Sequence, residues 1–171
     1  MSVRAADDLK QAQHLATTAR TLAIIAMAML VIAIVVKGGA TIGSNLFSAD
    51  NSWSQRVHNI GLVLIELMPA ILFVEAINQL RQALTHFGNG EFFSSTVANH
   101  VAEAGSYAIY AMIAVMAITP NLLLWVNRQG GFDLRIEPEY IGMLAFAVFV
   151  SAVGRVLAAA TDIKTENDAF V

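Results

Sequence analysis

The chain contains no cysteine among its 171 residues, so it has neither a disulfide framework nor a thiolate metal site. It is poor in charge: 13% of residues are charged and 57% are hydrophobic, whereas soluble domains carry about a quarter charged residues. It has only three prolines and two tryptophans. The net charge of -3 gives no basic surface for direct nucleic-acid binding. No P-loop and no H-E-x-x-H spacing occurs. The glycines of Gly88-Asn89-Gly90 follow no strand pattern, which excludes a dinucleotide fingerprint, and no Ser-His-Asp set can be argued. These absences leave no enzyme class with support.

What the chain does have is long apolar runs. Thr21 to Val36 contains no charge, and Arg20 and Lys37 flank it as snorkelling ends. Acidic residues precede it and no small-residue cleavage site follows, so it reads as a retained anchor. Gly38 and Gly39 are expected to stop this helix, and residues 41–56 to form a polar loop. Three more apolar runs follow. The predicted fold is all-α: a polytopic membrane protein, one domain, built as a bundle of four transmembrane helices. The spans are about 20–37, 57–80, 100–126 and 139–160, with a polar, acidic tail over 161–171. Pro69 should kink the second span, and Pro138 suits the first turn of the fourth. Trp53 and Trp125 fit an interfacial belt. Four spans put both termini on one side. The modest excess of Lys and Arg on that side predicts a bacterial inner membrane with both termini cytoplasmic.

Polar residues inside the spans are the candidate functional residues. Glu66 lies about 9 Å below Ile60 along the second helix, at a depth where a carboxylate must face the interior, be protonated or find a partner. A polar stripe runs through Glu75, Asn78, Gln79, Gln82 and His86 on one face of that helix. A similar stripe on the third helix holds Asn99, His100, Glu103 and Tyr107. Both flank a turn made by Gly88 and Gly90, after which Ser94 or Ser95 caps the third helix. Arg155 on the fourth helix should reach a similar depth and pair with Glu75 or Glu103. His86 and His100 share the placement a bis-histidine haem needs, but no other haem cue accompanies them and no cofactor is assigned. The small-xxx-small pairs Ala104–Ala108 and Ala147–Ser151 predict close helix packing within the chain, and also allow a homo-oligomer.

The order of a polar-striped helix, the run Gly88-Asn89-Gly90-Glu91-Phe92-Phe93-Ser94, the polar step Asn99-His100 and a closing span ending in RVLAAATDIKTENDAFV resembles the bacterial four-helix membrane proteins of domain-of-unknown-function family 2975. The likeness covers the chain from the second span to the tail. It implies no enzyme activity. It implies a membrane protein whose gene often neighbours that of a small helix-turn-helix regulator of the Xre type, and hence a partner that holds or releases such a regulator. The positions carried over are Gly88, Gly90, Glu91, Phe93 and Ser94 in the turn, and Arg155, Glu166, Asn167 and Asp168 in the tail. Ala169-Phe170 depart from the aliphatic ending of that pattern. The acidic residues Asp7, Asp8, Glu91, Asp162, Glu166 and Asp168 would offer a basic DNA-binding domain a complementary surface. Glu66 supports an alternative, a small transport or proton-handling subunit.

Overall fold

The structure, a computed structural model, describes residues 3–47, 52–92 and 94–169. Four helices fill it: α1 (Val3–Phe47), α2 (Trp53–Gly88), α3 (Ser95–Val126) and α4 (Pro138–Ala169). Each holds a stretch long and apolar enough to cross a bilayer, so this is a multi-pass membrane protein with a four-helix fold. Each helix packs antiparallel on the next, α1 on α2, α2 on α3, α3 on α4. Both ends of the chain therefore lie at one end of the bundle.

The helices are longer than the predicted spans. α1 has 45 residues, or about 67 Å at 1.5 Å per residue, against ~30 Å of hydrocarbon. Gly38 and Gly39 do not stop it. A glycine costs only about 1 kcal/mol in a helix interior, and the packing of α1 on α2, with the Lys37–Glu66 pair and the Asn59–Asn45 bond beyond it, carries the helix past them. Gly38 has a packing use instead: a Cβ there would lie 2.8 Å from Leu67 Cδ1 on α2. α2 starts at Trp53 rather than near residue 57, because Ser52 and Gln55 form a reciprocal capping box. Residues 161–169, expected as a polar tail, continue α4. Phe93, Phe170 and Val171 lie outside the described residues.

Pro120 reshapes α3. In an α-helix its missing N–H would have bonded to Met116 O. The chain forms a π turn over Ala114–Ile118, where the Thr119 N–H reaches back to Ala114 O. The backbone N–H of Arg135, from the connection to α4, donates to the freed Met116 O at 2.9 Å. Asn121 clamps the same connection: its side chain donates to Asp133 O and accepts from Asp133 N at 3.1 Å. The hairpin 127–137 is thus folded back along α3.

The core is made of small side chains. Ala83, Val97 and Val101 form its centre, with Phe87 and Val150 packed around them. α3 and α4 meet most closely. A Cβ on Gly105 would fall on the Ser151 backbone, and one on Gly154 on the Ala102 backbone. Ala104, Ala147 and Ser151 are buried beside them, so the predicted small-residue packing is used within the chain.

Candidate functional site: two polar clusters between the helices

At the end of the bundle that carries the termini, α2 closes with a Schellman motif. Gly90 adopts φ +87°, its N–H donates to Phe87 O at 3.0 Å, and the Glu91 N–H donates to His86 O at 3.0 Å. Ser94, not Ser95, caps α3 by accepting from the Val97 N–H at 3.2 Å. The turn rests on α1: a Cβ on Gly90 would be 3.0 Å from Gln13 Nε2, and one on Gly88 3.4 Å from Thr17 Oγ1.

The two predicted stripes meet here through one residue of α3, His100; Asn99 and Glu103 are exposed and Tyr107 packs on Tyr110. Gln79, which is buried, donates through Nε2 to Glu75 Oε1 at 2.7 Å. Its Oε1 lies 2.7 Å from His100 Nδ1 on α3. This amide orientation requires His100 to carry its proton on Nδ1. The His100 ring stacks on His86, with centroids 6.0 Å apart and planes at 21°. His86 Nδ1 in turn contacts Glu91 Oε2 at 2.7 Å. Asn78 joins from the other side, donating to Glu75 at 3.5 Å and accepting from Arg81 at 3.0 Å. A single connected cluster thus runs from Arg81 through Glu75, Gln79, His100 and His86 to Glu91.

The depth of the cluster follows from the α1–α2 register. The Lys37–Glu66 pair and the Thr17–Gly88 approach fix the α1–α2 register. That register puts Glu75 roughly level with Met29 and Gln79 roughly level with Ile25, inside the chargeless run of α1. The Glu75–Gln79 end of the cluster therefore sits at hydrocarbon depth, where polar groups must satisfy one another, while its His86–Glu91 end lies outside that run at the turn.

Glu66 has the opposite fate. It pairs with Lys37 Nζ at 3.0 Å, near the other end of the bundle, with 43% of its side chain exposed. Beyond it, Asn59 Nδ2 donates to Asn45 Oδ1 at 2.7 Å. Glu66 thus has a basic partner that sequence reasoning did not assign. The signal was present: Lys37 and Glu66 lie at matching distances from the α1–α2 connection.

Arg155 is exposed and pairs with neither Glu75 nor Glu103. Glu75 is engaged within α2, and Glu103 is exposed on α3. The close approach at Gly154 turns the neighbouring Arg155 away from the α3 interface. Asp7, Glu91, Asp162 and Glu166 are exposed near the termini, and Asp168 lies in the last turn of α4. Among the described residues no group of three His, Asp or Glu could hold a metal ion. Comparison with protein-family models, curated proteins and solved structures yields no match to this chain.

Proposed function

We propose that this is a non-enzymatic integral membrane regulator of the bacterial inner membrane, with both termini cytoplasmic, that binds a small helix-turn-helix transcription factor. The observation that carries the reading is the shape and charge of the termini-bearing end. α1 and α4 extend as helices past their apolar runs and expose Asp7, Asp162 and Glu166, with Glu91 exposed on the turn between them. These carboxylates stand among basic residues, Lys10 and Arg155 being exposed at the same end, and they offer a basic DNA-binding domain local acidic contacts that compete with DNA for it. The resemblance in the turn and tail motifs supports the same partner class.

The test is binding of an Xre-type regulator, encoded beside this gene, to the full chain in mild detergent. Binding should weaken steeply with salt, and it should fall at least about tenfold when Asp162 and Glu166 become Asn and Gln. Equal binding by the neutralised variant, or none at low salt, sinks the proposal.

A second reading has an observation of its own. Proton handling moves from Glu66, which is ion-paired and half-exposed, to Glu75, which is hydrogen-bonded at hydrocarbon depth. Proton flux into liposomes that is lost with Glu75→Gln and kept with Glu66→Gln supports it. Flux insensitive to Glu75→Gln rejects it.

A further inference from the structure

Lys37, Thr41 and Asn45 of α1 and Asn59, Leu62 and Glu66 of α2 line a cavity of about 220 Å³ at the end of the bundle away from the termini. It has room for roughly seven water-sized groups. Its floor lies at the edge of the hydrocarbon, because Lys37 is the first charge after the apolar run of α1. Its outer rim, at Asn45, is about 12 Å further along the axis at 1.5 Å per residue. The cavity therefore traverses the headgroup layer, which adds about 5–8 Å per leaflet. The exposed Trp53 and Trp125 lie at the same end.

The polar groups around it have bonding capacity to spare. Lys37 uses one N–H on Glu66 Oε2 at 3.0 Å and has two more. Glu66 retains Oε1. The Asn59 amide donates to Asn45, which leaves its oxygen as an acceptor. A lone anion would meet the Glu66 carboxylate, and a lone cation would meet the Lys37 ammonium. A ligand carrying both signs a few ångströms apart meets neither penalty, since its dipole can lie antiparallel to that of the ion pair.

We propose that this cavity binds the headgroup of an ethanolamine phospholipid. The phosphate accepts from the two spare N–H groups of Lys37. The primary ammonium donates to Glu66 Oε1 and Asn59 Oδ1. Leu62, one helical turn outward of Glu66, lines the side of the cavity. A choline headgroup has no N–H to donate to Glu66, and a glycerol headgroup has no cation.

The test is native mass spectrometry of the full chain released from nanodiscs holding equal parts of ethanolamine, choline and glycerol phospholipids. The ethanolamine lipid should be retained about tenfold over either of the others, the worth of one charge-assisted hydrogen bond. The paired change Lys37→Glu with Glu66→Lys keeps an ion pair but reverses its dipole, and it should abolish the preference. Leu62→Trp fills the cavity without touching the charges and should abolish it as well, which keeps the test decisive if the reversed pair does not fold. Retention in proportion to the bilayer composition overturns the proposal, as does a preference that survives Leu62→Trp. Soluble phosphoethanolamine that raises the melting temperature in lipid-free detergent as much as the lipid does would assign the site to a soluble zwitterion, and would overturn the lipid assignment.

Discussion

Gly105 and Gly154 let the backbones of α3 and α4 touch, and each does so against a main chain rather than a flexible side-chain end. Gly154→Ala or Gly105→Ala should therefore lower stability by about 1–3 kcal/mol, the range for overpacking. Gly142, in the same helix, has open space around it, and Gly142→Ala should change stability by less than about 0.5 kcal/mol. Thermal melts in detergent compare the three. Gln79 is the other sensitive position. Gln79→Leu removes one partner from Glu75 and the Nδ1 partner of His100, at a cost of about 1–3 kcal/mol for each orphaned group. A double-mutant cycle between Gln79→Leu and His100→Phe should return a coupling well above measurement error, and additivity would dissolve the cluster as a unit. The stripes that form it were legible in the sequence, because positions three and four apart share a helix face. Which stripe residues touch was not, because that depends on how far one helix slides along another.

At the scale of elements, α3 shows how a proline is accommodated at membrane depth. The orphan Met116 carbonyl takes the Arg135 N–H, and Asn121 secures the same hairpin. Hydrogen exchange should find the Arg135 amide protected, and Asn121→Ala should release that protection across residues 127–137. Arg135→Ala should leave it intact, because the bond comes from the backbone. The same α3 terminus holds a strained residue. Arg128 sits at φ +57° in a Schellman closure where the Gln129 N–H donates to Leu124 O at 2.9 Å. Glycine tolerates this region where L side chains resist it, so Arg128→Gly should be stabilising by up to about 1 kcal/mol in the same melts. A sequence reader sees a polar hairpin here and has the proline in view. The rescue of its orphan carbonyl by a residue fifteen positions later is a contact that no local pattern encodes.

For the whole molecule, the sequential antiparallel packing puts both termini at one end and the α1–α2 and α3–α4 connections at the other. The absence of native cysteine makes this directly testable, since single cysteines can be introduced without background. Asp7→Cys and Asp162→Cys should be labelled by an impermeant maleimide from the same side of the membrane, and Gln129→Cys only from the opposite side. Labelling of Asp7 and Asp162 from different sides would break the four-span topology. If the regulator proposal is right, the two-terminus side is also the cytoplasmic one, and labelling in intact cells reads this out directly.

The sequence by itself determined four membrane spans, an all-α fold and the residues of both polar stripes. Apolar length and helical periodicity are local properties, and a bilayer leaves the backbone no alternative to the helix. Only the tertiary structure decided that Glu66 belongs to a Lys37 ion pair at the far end, that Glu75 belongs to the deep cluster, and that Arg155 joins neither. Those outcomes follow from inter-helix register. Close approaches at Gly38, Gly105 and Gly154 set that register by bringing together residues far apart in the chain.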